Sequence, residues 1–155
     1  MAIDPRLELL KTLRATPVVA EALISVMSAE AIRRRPAEGE WAAVEVVAHL
    51  ADTEERAFDR VSRMVHEDEP RLPSFDQEAL AVERRYIDLD VATELARLAD
   101  LRARHVALLE SLDDAGWNRV GIHGNHGRMT IERYESHVAA EEVDHLAQIA
   151  RLLDG

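Results

Sequence analysis

Residues 129–153 read MTIERYESHVAAEEVDHLAQIARLL, and this stretch decides the fold. As an α-helix it carries one stripe of side chains along a single face, because residues three or four apart lie one above the other. The stripe consists of Tyr134, Val138, Glu141, His145, Ile149 and Leu152. Four of these are typical of a buried seam, whereas the carboxylate and the imidazole in its middle are costly to bury alone. We expect a helix that packs in a core and gives both polar side chains a partner or a ligand.

The composition indicates a folded, helical chain. It has 155 residues, 47% hydrophobic and 4% aromatic, so one domain spanning residues 1–155 can bury a core of ordinary size. Alanine, leucine, glutamate and arginine dominate, and these residues favour helices. No alternating run of valine, isoleucine and threonine reaches strand length. We therefore expect an all-α fold.

The charge balance narrows the classes of partner. Lysine and arginine number 19 against 30 aspartates and glutamates, a formal net charge of −11. Such a surface is unsuited to phosphates, so we expect neither nucleic acid nor an anionic membrane as a partner. Cysteine is absent, which removes disulfides, thiolate nucleophiles and cysteine-ligated metal sites. No apolar run has the length of a signal peptide or a membrane span, and we expect a cytoplasmic protein.

Helix signals divide the chain into four long segments. They predict helices from Pro5 into the twenties, over residues 42–67, over residues 91–113 and after the N-cap Thr130. Pro17 is expected to interrupt the first of these helices, because proline lacks an N–H. Short extra helices are predicted near residues 28–36 and 78–86, a loop over residues 68–77 and an irregular, glycine-rich crossover over residues 117–129, for which a small hairpin is an alternative. This pattern favours a four-helix bundle with short extra helices and an irregular crossover before the last helix.

Three residues on two helices form a candidate metal site. His49 lies at the edge of the apolar face of the helix over residues 42–67, and Glu141 and His145 lie one turn apart on the last helix. Two imidazoles and a carboxylate suit Zn²⁺, Ni²⁺ or Fe²⁺, and three protein ligands leave a position open for water. The alternative is a helix-to-helix ion pair of Glu141 with Arg56 or Arg60 and no metal at all.

Other polar side chains near the stripe have several readings. His137 lies at the border of the stripe. It is a candidate for a fourth metal ligand, a base or a group that orients a ligand, and the alternative is an ordinary half-exposed histidine. Asp52, one turn after His49, is a candidate for orienting an imidazole, or is solvated. His123 and His126 lie in a glycine-rich loop, for which we favour loop chemistry over ligation. His105 is expected on a partly exposed helix face.

Four motifs together resemble the DinB-like, damage-inducible superfamily, which is distinct from the DNA polymerases that share the name. They are WAAVEVVAHLADTEERAFDRV at residues 41–61, P-x-L-P at 70–73, G-x-x-x-x-x-G-x-M-T at 121–130 and HVAAEEVDHLAQI at 137–149. The resemblance implies a four-helix bundle that commonly dimerises. It also implies a divalent metal held by His49, Glu141 and His145. Glu141 stands where many members have histidine, and the resulting set resembles the metal domain of mycothiol-dependent maleylpyruvate isomerases.

The resemblance also implies a class of reaction. The first hypothesis is an S-transferase that uses a low-molecular-weight thiol such as bacillithiol or mycothiol, activated by the metal and presented to a small-molecule substrate. His137 or Asp52 would then transfer a proton or orient a ligand. The alternatives are a metal-dependent hydrolase and a non-enzymatic stress-response protein that binds a metal or a small ligand.

Overall fold

The computed structural model describes residues 2–154, and its frame is a bundle of four long helices. The α-helices within that range are α1 (Pro5–Ser25), α2 (Ala29–Arg33), α3 (Ala43–His66), α4 (Gln77–Glu83), α5 (Val91–Glu110), α6 (Asp114–Trp117) and α7 (Ile131–Arg151). None of these described helices is long and apolar enough to cross a bilayer. The long helices α1 and α3 each pack against both α5 and α7. The predicted all-α four-helix bundle is confirmed.

Side-chain caps fix where the helices begin. The Asp4 carboxylate accepts a hydrogen bond from the backbone N–H of Arg6 at 2.9 Å, and the Thr130 hydroxyl accepts one from the N–H of Arg133 at 3.2 Å. Both caps satisfy donors that have no partner within the helix. The predicted start of α7 is confirmed, and α3 differs from the predicted range 42–67 by one residue at each end.

Helix α1 continues through Pro17, where the sequence predicts an interruption. Proline has no N–H, so the carbonyl oxygen of Leu13, four residues earlier, loses its helical donor. Arg102, a buried residue of α5, donates from Nη1 to that oxygen instead. The expected interruption is wrong because a neighbouring helix supplies the missing hydrogen bond.

A network of buried charges crosses the centre of the bundle. Arg102 donates to Glu54 on α3 at 2.6 Å and to both carboxylate oxygens of Glu142 on α7. His105, one turn further along α5, lies with Nδ1 2.7 Å from Glu54 Oε1 and with Nε2 2.8 Å from Glu135 Oε1. All five side chains are buried. Because breaking a buried ion pair is strongly destabilising, this network holds α3, α5 and α7 in one arrangement.

His105 is fully buried, so the expected partly exposed position is wrong. Burial by itself lowers the pKa of an imidazole. The carboxylates of Glu135 and Glu54 outweigh that effect and raise the pKa of His105 from 6.5 to about 10. The side chain is therefore an imidazolium ion at neutral pH, placed between two carboxylates.

The crossover before α7 contains an ordered β-hairpin. The strands are β1 (Arg71–Leu72), β2 (Val120–His123) and β3 (Gly127–Thr130). β2 pairs antiparallel with β3, and β1 adds to β2 in parallel, with Leu72 opposite His123. Gly127 closes the turn with φ of +71°, a conformation that glycine adopts without strain. The predicted loop over residues 68–77 thus contains β1, and the predicted crossover over residues 117–129 contains the β2–β3 hairpin.

Replacing His105 tests the central network. We expect His105→Gln to lower the free energy of unfolding by about 3 kcal/mol at pH 7, since it leaves buried carboxylates without their cation. In the wild type, the contribution of the charged His105 to the free energy of unfolding is fully present below pH 6.5 and is lost as the pH rises through about 10. Urea denaturation between pH 6 and pH 10 should show this alkaline loss in the wild type and not in the variant.

The matched control is Arg104→Gln on the same helix. Arg104 pairs with Asp100, and both side chains are exposed. Removing an exposed ion pair should change the free energy of unfolding by less than about 0.5 kcal/mol. Equal losses in the two variants would contradict a central role for His105.

Candidate functional site

A cavity of about 230 Å³ lies between α3 and α7 and is bordered by the turn of the β2–β3 hairpin. Five of the seven histidines of the chain line it, namely His49, His123, His126, His137 and His145. The helices also contribute Thr53, Arg60, Tyr134, Glu141 and Glu142 to its wall. A concave site with converging polar groups is the usual form of a small-molecule site.

His49 and His145 face each other across the seam between α3 and α7. Their Nε2 atoms are 3.1 Å apart. Arg60 and Tyr134 meet further along the same helices, with Arg60 Nη1 3.4 Å from the tyrosine hydroxyl oxygen. Eleven residues separate the two contacts on each helix, so α3 and α7 run antiparallel in this register. The cavity therefore extends from the histidine pair to the arginine–tyrosine pair.

The orientation of His145 is set by its own helix. Its Nδ1 lies 3.1 Å from Gln148 Oε1 and donates to that oxygen, which leaves the lone pair of Nε2 facing His49. Burial, and then the neighbouring His145, lower the pKa of His49 to about 4. His49 is therefore neutral at pH 7, as a metal-binding imidazole must be.

The separation of the two nitrogens suits a shared metal ion. Metal–nitrogen bonds to histidine are about 2.0–2.1 Å long, and two such bonds at about 100° to each other place their nitrogens about 3.1 Å apart. The observed Nε2–Nε2 distance is 3.1 Å. The structure thus brings together two of the three ligands predicted from the sequence.

Glu141 lies at the rim of the cavity and not in the buried seam. Its side chain is 61% exposed, and Oε1 lies 3.6 Å from Nε2 of His137, one turn earlier on α7. Within residues 2–154 no three histidine, cysteine, aspartate or glutamate side chains are already gathered as a metal-ligand set. The carboxylate therefore does not join the histidine pair in this side-chain conformation.

The buried carboxylate of this part of α7 belongs to the next residue. Glu142 is buried and pairs with Arg102 on α5. The alternative reading, in which Glu141 pairs with Arg56 or Arg60, is wrong. Tyr134, Val138 and Ile149 of the predicted stripe are buried, and the stripe is wrong at Glu141, where the neighbouring Glu142 is buried instead because α5 carries its counter-charge.

Asp52 is held away from the cavity. Arg97 lies 2.7 Å from its carboxylate, Arg84 forms a second ion pair with it, and the Tyr86 hydroxyl donates to it at 2.5 Å. Burial alone raises the pKa of a carboxyl group, but these donors outweigh it and lower the pKa of Asp52. It is not among the described residues that line the cavity with His49.

The hairpin turn carries two histidines to the cavity. A side chain on Gly124 would lie 2.9 Å from the backbone nitrogen of Ser74, so only glycine allows this close approach of the turn to the β1 side. The rings of His123 and His126 are 4.8 Å apart, and His126 lies 5.0 Å from the ring of His137 on α7. The loop expected to act apart from the metal ligands therefore shares their cavity.

Comparison with known proteins now identifies the family. The model of the DinB superfamily matches residues 12–149. The chain belongs to the DinB superfamily. This confirms the resemblance seen in the sequence motifs.

Individual relatives align with most of this DinB chain. A Geobacillus kaustophilus protein is 32% identical over 94% of this chain and 82% of its own length. An Oceanobacillus iheyensis protein is 25% identical over 81% of this chain and 72% of its own length. The names of both describe candidate metal-dependent hydrolases. The structure of YfiT from Bacillus subtilis matches with a TM-score of 0.89 at 24% identity, over 97% of this chain and 88% of that one. It has an unusual four-helix bundle topology, and the shared fold follows from this match.

Sequence reasoning missed two cavity residues of this DinB chain, Thr53 and Arg60. They follow His49 by four and eleven residues, which places all three within about 40° on one helix face. The spacing is therefore readable in the sequence, but from the sequence Arg60 is a candidate only for an ion pair with Glu141. A buried face that carries only polar groups is hard to distinguish from a solvated one by pattern alone.

Asp52→Asn tests whether Asp52 has a structural role. We expect a loss of about 2 kcal/mol in the free energy of unfolding, because two guanidinium groups and a tyrosine hydroxyl lose a shared ionic acceptor. Since folding lowers the pKa of Asp52, its stabilisation is present above the ordinary value of 3.8 and is lost as the pH falls through the lowered value. Acid denaturation followed by circular dichroism should show a shallower pH dependence in the variant.

The control is Asp59→Asn at an exposed position of α3. It makes the same chemical change on the same helix and should alter the free energy of unfolding by less than about 0.5 kcal/mol. Wild-type stability in Asp52→Asn would argue against the structural role.

Proposed function

We propose that this DinB chain is a divalent-metal-dependent enzyme acting on a small molecule, with His49, Glu141 and His145 as the metal ligands. The observation that carries the proposal is the pair of facing Nε2 atoms, 3.1 Å apart, in the wall of a cavity. The Geobacillus and Oceanobacillus relatives support it, because their names describe candidate metal-dependent hydrolases.

Glu141 is positioned to complete the ligand set by rotation of its side chain. It lies one turn before His145, and in the antiparallel register it occupies the level of Thr53, one turn after His49. The Thr53 hydroxyl oxygen is buried and has no hydrogen-bond partner among the described residues. An exposed glutamate has free rotamers, and an unpaired buried hydroxyl at the same level indicates space prepared for a further polar group.

The donor set determines the chemistry. Two imidazoles and a carboxylate suit Zn²⁺, Ni²⁺ or Fe²⁺, and such an ion supplies Lewis acidity that lowers the pKa of a nucleophile and polarises a carbonyl group. In this proposal His137 accepts the proton of the nucleophile, because its half-exposed ring borders both Glu141 and the cavity. Asp52 keeps the imidazole-bearing helix in place through its ion pairs and takes no part in proton transfer.

We propose hydrolysis, with water as the nucleophile, as the first reaction to test. The names of the relatives favour it. The second candidate is S-transfer from a low-molecular-weight thiol such as bacillithiol or mycothiol. The chain has no cysteine, so a thiol nucleophile would have to come from a cosubstrate. If the protein binds a metal but catalyses neither reaction, the remaining interpretation is a non-enzymatic metal-binding protein.

Metal content tests the proposed ligands directly. Protein purified without a metal-affinity tag or a chelator should carry about one divalent ion per chain by elemental analysis. His49→Ala, His145→Ala and Glu141→Ala should each weaken metal binding by more than about tenfold, since even groups that only orient ligands contribute that much. Wild-type protein that stays metal-free after addition of Zn²⁺ or Ni²⁺ would refute the proposal.

The matched control for the metal analysis is His66→Ala. His66 lies on the same helix as His49, but its ring bonds the backbone oxygen of Ser62 and lies outside the cavity. It should retain the wild-type metal content. The reaction is then tested with a panel of esters and amides and, separately, by loss of free thiol in the presence of an electrophile. Activity in only one of the two assays decides between water and thiol.

A further inference from the structure

Arg60 is a buried cation with no carboxylate partner. Its side chain lines the cavity and only 7% of the residue is exposed. It donates to the backbone oxygen of Pro73 and lies 3.4 Å from the Tyr134 hydroxyl, and no carboxylate among the described residues lies within ion-pair distance. The net charge of −11 shows that acidic residues are plentiful in this chain. A buried guanidinium without a counter-ion is costly, so an anion from outside the chain is expected to provide it.

A second arginine lies next to Arg60, although it does not line the cavity. Arg56 lies one helical turn before Arg60, and like charges at this spacing repel each other. Its guanidinium stacks on Phe75, 3.4 Å from the ring centre, and its Nε is buried without a hydrogen-bond partner among the described residues. Burial, and then Arg60, lower the pKa of Arg56. Two guanidinium groups therefore lie side by side, and neither forms an ion pair with a carboxylate among the described residues.

His123 supplies a hydrogen-bond donor to the cavity beside Arg60. Nδ1 of His123 accepts hydrogen bonds from the backbone N–H groups of Asn125 and His126, at 3.1 and 3.3 Å. Its proton must therefore lie on Nε2, and burial followed by Arg60 lowers the pKa of His123, so the ring is neutral. With Nδ1 occupied and Nε2 protonated, His123 is a donor and not a metal ligand.

Tyr134 supplies a further donor. Its hydroxyl oxygen accepts from Arg60, which leaves its O–H free to donate, and its ring centre lies 6.4 Å from that of His123. Neither of the two carboxylates in the cavity wall is directed at these donors. Glu142 pairs with Arg102, and Glu141 lies on the rim beside His137, four residues before His145. Arg60, His123 and Tyr134 are therefore donors to this end of the cavity, and none of them is paired with a carboxylate among the described residues.

We propose that Arg60, His123 and Tyr134 form a subsite that binds an anionic oxygen group, a carboxylate or a phosphate, at the opposite end of the cavity from His49 and His145. A guanidinium group matches the paired oxygens of either anion, and charge-assisted hydrogen bonds of this kind are the strong ones.

The subsite also narrows the substrate class. Its place in catalysis rests on the proposed function, whereas the binding of an anion does not. His49 and Arg60 are eleven residues apart on α3, a rise of about 16 Å, and helical side chains lean toward the N-terminus, which carries the Arg60 guanidinium toward His49. The substrate is then an elongated small molecule with its reactive group at one end and its anionic group at the other.

Anion binding can be measured without turnover. The probes are inorganic phosphate and acetate, with neutral acetamide for comparison, titrated into the full chain as purified and after dialysis against a chelator. NMR shifts of the Arg60, His123 and Tyr134 side chains report the binding. We expect saturable binding of phosphate, acetate or both in each preparation, and about tenfold or more weakening in Arg60→Gln, because one charge-assisted interaction is removed.

Two further variants make the titration decisive. Arg63→Gln makes the same charge change on the same helix, but Arg63 pairs with Glu67 outside the cavity, so affinity should stay within about twofold of wild type. Tyr134→Phe removes one oxygen and should weaken binding by about fivefold even if Arg60→Gln fails to fold.

The outcomes separate this proposal from the metal site. Absence of phosphate and acetate binding in the wild type, equal binding of acetamide, or wild-type affinity in both Arg60→Gln and Tyr134→Phe would overturn the anion subsite. Phosphate binding alone or acetate binding alone supports it and names the anion. A chain that binds these anions but no metal would refute only the proposed function.

Discussion

The guanidinium of Arg102 is the constraint on which the bundle depends. It donates to a carboxylate on α3, to another on α7 and to the Leu13 carbonyl of α1, while belonging itself to α5. Such a cation is tolerated in a core only when all of its partners are present, and losing one leaves a charge unpaired. Apolar packing would accept several helix rotations, whereas this set of partners fixes the rotation of all four long helices.

The same constraint positions the candidate site. Glu54 follows Thr53, and Glu142 follows Glu141, so each helix presents one residue to the central network and the preceding one toward the cavity. Successive residues differ by about 100° around a helix. Once Arg102 fixes the network residues, the cavity residues have little freedom. The facing of His49 and His145 is therefore a consequence of the ion network as well as of their own contact.

The sequence was sufficient wherever the determinant was local. Thr130 predicts the start of α7 because an N-cap acts on the next three residues. The positions of His49 and His145 on the faces of their own helices follow from the helical period alone. It was insufficient wherever the determinant was a partner on another helix. Pro17 is tolerated because Arg102 bonds Leu13, and Glu142 is buried because α5 carries its counter-charge. No pattern within one segment contains that information.

Arg60 differs from Arg102 in a way that stability alone does not explain. Arg102 pairs with two carboxylates, and these ion pairs, which link α5 to α3 and α7, offset the cost of burying its charge. Arg60 is also buried, lies beside another arginine and donates hydrogen bonds only to a carbonyl and a hydroxyl. An apolar residue of similar volume would satisfy the fold better at this position. Arg60 lies among hydrogen-bond donors at one end of a cavity. An anionic group that enters the cavity would explain why a cation is retained at this position.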